Sequence, residues 1–468
     1  MANFIEQRPL YPELPVGQEV IFSVSNVAQI TNIGLFNVKF IANVYISKEP
    51  ITIGGLGFIG SFKTTPNAAG VGMFDLSSVV ESFVNADNIG ARNSQYKTIQ
   101  TTENNPNPLH LIDKFSTNKN VLVYLAIQFE VEGSTTIDGI IDIIEGQEVS
   151  SSQYTLFNGY LKYSDALKSI QGLFGYELND FNMNSLLGRF LTNAPTTQYA
   201  NIEDYGTLSC FSTPNQNFIS DTKIDKISFK YYNSSGGTIA AETVNNAEEN
   251  GGFEVWNSSS WNQLIHFGCF PANLRNWSTT FQTSIGLDLS YYTVRLLNSS
   301  NDDISQTVTI NINCPNTKGY ESVRLTWLNQ WGVWDYYTFT MLSSKSTSTK
   351  GSTYQQLEGT WNKTKYQVNG YKGGKKSFRV NATEKIKMNT DFVSEAESEW
   401  FEELINSPEI YILEGYKVGQ SATMSLNEYV IPVRLTTSNY TRKTVANDKL
   451  MQYTFEVEKS KTIRTQAI

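Results

Sequence analysis

Two histidines, His110 and His266, and three cysteines, Cys210, Cys269 and Cys314, are the residues of this 468-residue chain best suited to nucleophilic, general-base or metal chemistry. Zinc sites and Ser-His-Asp triads need a histidine with a spaced second ligand or an orienting carboxylate. Neither histidine has H-x-x-x-H spacing. His110 stands in a Pro/Asn-rich loop and reads as solvated, while His266, beside Phe267 in an apolar run, reads as core. The cysteines are odd in number and too widely spaced for a zinc site, so buried reduced thiols are expected. No nucleophile elbow, P-loop or G-x-G-x-x-G occurs. Gly54-Gly55-Leu56-Gly57 is followed by no helix whose N-terminus would hold a phosphate, and reads as a strand-edge bend. Glycoside hydrolysis needs only two carboxylates, yet Asp138 with Asp142 is a period-two pattern and Glu399 with Glu403 a helix-surface one. Asn301-Asp302-Asp303 offers oxygens but lacks the D-x-D-x-D-G spacing of a calcium loop, and reads as a solvated turn. The sequence predicts no catalytic residue, no metal, no cofactor and no enzymatic activity.

Aromatic side chains are the other chemical resource, with eight Trp, 25 Tyr and 26 Phe. Exposed Trp256, Trp261 and Trp277 would suit sugar stacking, interfaces favour Trp and Tyr, and core packing claims most of the rest. They are densest in VRLTWLNQWGVWDYYTF, Val323 to Phe339. Two β-type runs, 323–328 and 333–339, flank Asn329-Gln330-Trp331-Gly332, which reads as a tight turn with Gly332 free to take positive φ. Alternation predicts that Trp327 is buried. Trp331, at the turn, is expected to be exposed or at a subunit contact.

The elements that would position these groups are strands. Length calls for two to four domains, and 40% apolar with 17% charged residues suits an all-β protein with polar turns. A net charge of −9 and a pI near 5.1 argue against a nucleic-acid surface. No apolar run approaches the roughly 20 residues needed to span a bilayer, so no membrane anchor is expected. The opening MANFIEQRPLYPELP has no basic then apolar region, so no secretion signal is predicted. The fold expected is mainly β: tandem antiparallel Ig-like β-sandwich domains followed by a small α+β domain. An extended arm with Pro9, Pro12 and Pro15 covers 1–18, a leader or a strap that orders on a neighbour. A first β-sandwich takes 19–165, a connector 166–200, and a second sandwich 201–342, ending in the Trp-rich hairpin. SSKSTSTKGS reads as a linker or an exposed hairpin tip over 343–352, and the α+β domain takes 353–468. In that domain Ser394 and Glu397 form a capping box, Trp400, Phe401, Leu404 and Ile405 share a helix face, and Ser407-Pro408 ends the helix. Pro9, Tyr11, Pro12, Trp331, Trp334, Lys443 and Asp448 are the candidate interface residues.

Three stretches resemble virion structural proteins of crAss-like phages infecting Bacteroidetes, in particular their tail ring, collar or hub components. They are Thr65-Pro66-Asn67 to Gly72-Met73-Phe74-Asp75-Leu76, Cys314 to Phe339, and the C-terminal run from Ser394 through Trp400, Tyr411 and Val430-Ile431-Pro432-Val433 to Asn447–Glu456. Each is a packing signature and none a catalytic motif. The resemblance implies a non-enzymatic, multidomain β protein of the phage tail or neck, made in the host bacterial cytoplasm. It would assemble as a homo-oligomeric ring beside neighbouring tail or portal proteins, without reading nucleic-acid sequence. The alternative expectation is a carbohydrate-binding adhesin or receptor-binding tail protein.

Overall fold

The structure is a computed structural model that describes residues 3–26, 35–47, 51–84, 115–118, 122–181, 183, 188–212, 224–245, 263–313, 319–360, 363–414, 430–437, 451–461 and 463–464. The chain is mainly β, with several antiparallel sheets, and divides into two compact units. Met1–Asn313 and Leu328–Asp335 belong to one; Cys314–Trp327, Tyr336–Glu414 and Ser425–Ile468 make up the other. The Trp-rich hairpin is therefore divided, its turn counted with the first unit and the rest of its strands with the second.

The first unit begins with a sandwich whose inner faces follow strict alternation. Phe40, Ala42, Val44 and Ile46 point inward from Phe36–Ser47, and Val123, Leu125, Ile127, Phe129 and Val131 from Leu122–Ser134. Phe22 and Phe74, from the facing three-stranded sheet, pack on Phe129 with ring centroids 5.8 and 5.7 Å away. The proline-bearing arm, expected to be a leader or a strap for a neighbour, is built into this sandwich instead. Phe4–Gln7 pairs antiparallel with Ile21–Ser25, and Glu13–Pro15 pairs parallel with Tyr154–Phe157. Prolines suit edge positions because they lack a ladder donor. Here Pro12 still supplies its carbonyl to Thr155 N at 2.8 Å.

A five-stranded sheet follows, in the order Thr197–Ala200, Val308–Ile312, Leu289–Leu297, Lys226–Asn233, Thr238–Asn245. The helices Pro271–Trp277 and Thr279–Ile285 cover it, with Phe281 against Tyr231 and Tyr292 and Trp277 against Phe229. A three-stranded sheet joins Thr207–Ser212, Gln263–Gly268 and Phe115–Asn118, the last drawn from sequence expected to lie wholly in the first sandwich. The 166–200 stretch is more than a connector, since its Leu178, Phe181 and Leu191 belong to a buried cluster with Phe157, Phe211 and Leu264.

In the second unit an eight-stranded sheet carries one helix. Its order is Trp334–Phe339, Val323–Leu328, Ile410–Leu413, Val430–Leu435, Thr454–Lys459, Gly374–Asn389, Ser343–Gln356, with Ile463–Arg464 beside Gly374–Asn389. Glu395–Asn406 has the expected capping box: Ser394 Oγ accepts from Glu397 N, and the Glu397 carboxylate accepts from Ser394 N at 2.7 Å. Its Trp400 and Phe401 lie on Trp327, Tyr337 and Phe455. Two expectations are corrected here. The Trp-rich hairpin does not close the second sandwich, because Arg324–Trp327 pairs with Ile410–Leu413. The segment expected as a linker over 343–352 lies in a 14-residue strand paired along its length with Gly374–Asn389. Ser and Thr suit a pleated edge when nothing covers them, so low complexity here marks an exposed strand.

Candidate functional site

The strand pair Thr207–Ser212 and Gln263–Gly268 sets Ser209 directly opposite His266, with Oγ 2.7 Å from Nδ1. That is the separation of a nucleophile and its base. Both residues are buried, and burial drives the His266 pKa down to about 3, which keeps the ring neutral. Nε2 is also buried, with no hydrogen-bond partner among the described residues. The pair therefore acts as a cross-strand contact inside a sheet, the core role expected of His266. Cys210 and Cys269 are buried free thiols, and burial pushes Cys210 well above the ordinary thiol range. Its thiol stays protonated and unreactive.

The other candidate ligands are occupied by ordinary surface partners. Asp303 accepts from Arg295 at 2.8 Å, Asn301 accepts from Lys226 at 2.8 Å, and Asn298 Oδ1 accepts from Asp302 N at 2.8 Å, which builds the turn expected there. Trp277 is half-buried on Phe229, so it offers no free sugar platform. His110, Cys314, Trp256, Trp261, Lys443 and Asp448 lie outside the described residues.

The predicted interface residues fall into two groups. Pro9 and Tyr11 are half-buried and Pro12 is exposed, all three between the arm's strands Phe4–Gln7 and Glu13–Pro15. Trp331 and Trp334 are each 2% exposed, so the expectation of an exposed or intersubunit Trp331 is overturned. Trp331 sits in the cluster with Leu178, Leu191 and Phe211, its ring 4.2 Å from Phe181. Asn329, itself buried, shapes the turn: its Oδ1 accepts from Trp331 N and Val333 N, and its Nδ2 donates to the Leu191 carbonyl. Gly332 has φ +74°, and a Cβ there would stand 2.0 Å from the Asn158 carbonyl oxygen. Turn residues usually face solvent, which is why sequence placed Trp331 outside. The signal that pointed the other way was the unpatterned apolar run 173–191, whose side chains needed a partner.

The most exposed arrangement is the hairpin of Ser343–Gln356 and Gly374–Asn389. Along Gly374–Asn389, Thr454–Lys459 pairs with Lys385–Asn389 alone, and Ile463–Arg464 with Asn381–Ala382 alone. Beyond them, Gly351–Gln356 and Gly374–Val380 form a two-stranded ribbon among the described residues. The hairpin from Ser343 to Asn389 carries ten lysines and arginines against two glutamates, a net +8 in a chain of net −9, which leaves −17 on the remainder. Leu357, Tyr366, Val368, Tyr371 and Phe378 are exposed among those cations, Tyr371 at 77%. Lys350, Lys363, Lys365, Lys372, Lys375 and Arg379 are in no salt bridge with a described residue, although Lys372 lies over the Tyr371 ring. A long edge strand with lysines on it resists indiscriminate pairing, while cations interleaved with aromatics bind an acidic, partly apolar surface.

No protein-family model matches the chain, and no curated protein sequence matches it. Among solved structures, a chain in the crystal structure of Dpr2 Ig1-Ig2 in complex with DIP-Theta Ig1-Ig3 is similar at 10% identity over 67% of this chain and 99% of that one, with a TM-score of 0.14. Native alpha-2-macroglobulin of E. coli is similar at 9% identity over 82% of this chain and 21% of that one, with a TM-score of 0.18. Scores this low carry no argument about fold or function.

Proposed function

We propose that the chain is a non-enzymatic structural component of a bacteriophage tail or neck that assembles into a symmetric ring. The observation that carries this reading is the Ser343–Gln356 edge. It is a 14-residue strand at the end of its sheet, exposed along most of its length and continued as a ribbon of cations and exposed aromatics. An isolated folded domain gains nothing from holding such a surface in water, whereas a subunit repeated around an axis uses it at every contact. The resemblance of the Trp-rich hairpin and the C-terminal helix-and-sheet stretch to tail proteins supports the same reading. Native mass measurement and negative-stain imaging of the purified chain, alone and with neighbouring virion proteins, test it. Closed rings are expected, and a strictly monomeric chain that is also absent from virions would end the proposal. A receptor-binding role would use exposed Tyr366 and Tyr371 as sugar platforms. Glycan-array binding that disappears in Tyr371→Ala would favour that role instead.

A further inference from the structure

The cationic hairpin has a complement within the same sequence. Between Lys119 and Lys162 there is no lysine, arginine or histidine, while Glu130, Glu132, Asp138, Asp142, Glu145 and Glu148 all fall there. Two of these are engaged: Glu130 accepts from Asn43, and Glu132 pairs with Lys63. Asp138, Asp142, Glu145 and Glu148 are exposed and in no ion pair with a described residue. They lie in and around the short strand Asp142–Ile143, which pairs with Glu132–Gly133 on the side of Leu122–Ser134 away from Phe36–Ser47. Interleaved with them are Ile137, Ile140, Ile141 and Ile143, all exposed, Ile140 at 90%. Four isoleucines in water beside four unpaired carboxylates form an apolar surface rimmed with one sign of charge, the composition of a protein contact.

We propose that the ribbon around Gly351–Gln356 and Gly374–Val380 of one copy docks on the acidic isoleucine lip, residues 137–148, of a second copy. This rests on the assembly reading above and names the two surfaces that meet. The two surfaces differ, so the contact is heterologous and repeats head to tail, as a ring requires. Charge complementarity selects a second copy over a nucleic acid as the occupant. A phosphate backbone would meet the −17 of the rest of the chain and offers no apolar counterpart to Leu357, Val368 and Phe378. The lip supplies both the negative charge and the aliphatic surface. Charge steers the encounter and fixes register, and desolvation of the aromatic and isoleucine side chains holds it.

The test is sedimentation velocity of the full chain at about 50 and 500 mM salt, where screening lengths differ severalfold. Three variants are compared: an arm reversal (Lys363→Glu, Lys365→Glu, Lys372→Glu, Lys375→Glu), a lip reversal (Asp138→Lys, Asp142→Lys, Glu145→Lys), and both together. All seven positions are exposed, and circular dichroism confirms that each variant is folded. Self-association is expected in the parent chain, to weaken at least tenfold at high salt and in each single reversal, and to return in the combined variant. Oligomers that persist unchanged in the arm reversal overturn this inference and leave the ring reading standing. A monomer under all conditions overturns it as well, and together with absence from virions ends the ring reading too. A labelled single-stranded DNA probe runs in parallel. Binding that the arm reversal abolishes, in a chain whose self-association ignores both reversals, overturns the inference in favour of a nucleic-acid contact.

Discussion

Two hairpins follow one another in this chain and end in opposite environments. Val323–Leu328 with Trp334–Phe339 is almost wholly buried, while Ser343–Gln356 with Gly374–Asn389 is mostly exposed, although both are antiparallel ladders in one sheet. Backbone pairing is common to both and so does not decide their fate. The side chains do. The first hairpin presents tryptophans and tyrosines on both faces and needs cover on both. The second presents Ser, Thr, Lys and Gln, which lose little by staying in water.

The contrast predicts a steep difference in sensitivity to substitution. Trp331→Ala removes a fully enclosed indole from the cluster with Phe181 and Leu191, and should destabilise by about 3–5 kcal/mol. Tyr371→Ala, on the exposed hairpin, should stay within about 0.5 kcal/mol. Urea midpoints read by far-UV circular dichroism compare them directly, and similar shifts for the two would erase the distinction. Glycines give a matched pair. Gly332→Ala meets the Asn158 carbonyl at 2.0 Å and a left-handed φ of +74°, so a loss of about 3 kcal/mol or more is expected. Gly370→Ala, with open space around the new methyl, should be neutral in the same assay.

Asn329 tests whether the buried turn is held by polar contacts as well as by packing. Asn329→Ala strands two backbone donors and the Leu191 carbonyl inside the cluster, and should lose about 2–3 kcal/mol. Asn329→Asp keeps the two accepted bonds but not the donated one, and should fall between. A loss no larger than that of an exposed polar residue would show that packing alone sets the turn.

What the sequence disclosed about these hairpins follows the same division. The limits of Val323–Leu328, the positive φ of Gly332, the capping box at Ser394 and the burial of Trp327 were all readable, because each depends on residues within one turn or one strand. The burial of Trp331 was not, since its partners Phe181 and Phe211 lie more than a hundred residues away in sequence. Strand Ser343–Gln356 was hidden by its composition: a strand covered on neither face has no apolar alternation to read. The net charge of −9 concealed the +8 of the hairpin, because a total averages over surfaces that oppose one another.

Buried polarity can also be probed by pH. The His266 pKa lies near 3 in the fold against an ordinary value of 6.5, so the unfolded chain takes up the proton first as pH falls. Stability from this residue is complete above about pH 6.5 and drains away as pH drops toward 3. By pH 5 the loss should be on the order of 1–2 kcal/mol. His266→Gln should remove this part of the pH dependence even if it lowers stability at pH 7. An unchanged slope of urea midpoint against pH between 7 and 5 would place the proton uptake elsewhere.

The smallest effect is expected at the exposed edge. Lys345 reaches Glu321 at 2.7 Å, but both side chains are more than half exposed, so the pair contributes no more than about 0.5 kcal/mol. Lys350 has no such pair among the described residues. Lys345→Val with Lys350→Val should therefore leave the urea midpoint nearly unchanged. Its consequence should appear in association, because the two charges interrupt a long strand whose outer ladder groups are otherwise open to pairing. Static light scattering against concentration is expected to rise earlier in the double variant than in the parent chain. A fall in the urea midpoint instead would mean that the edge supports its own sheet, and the two hairpins would then differ only in degree.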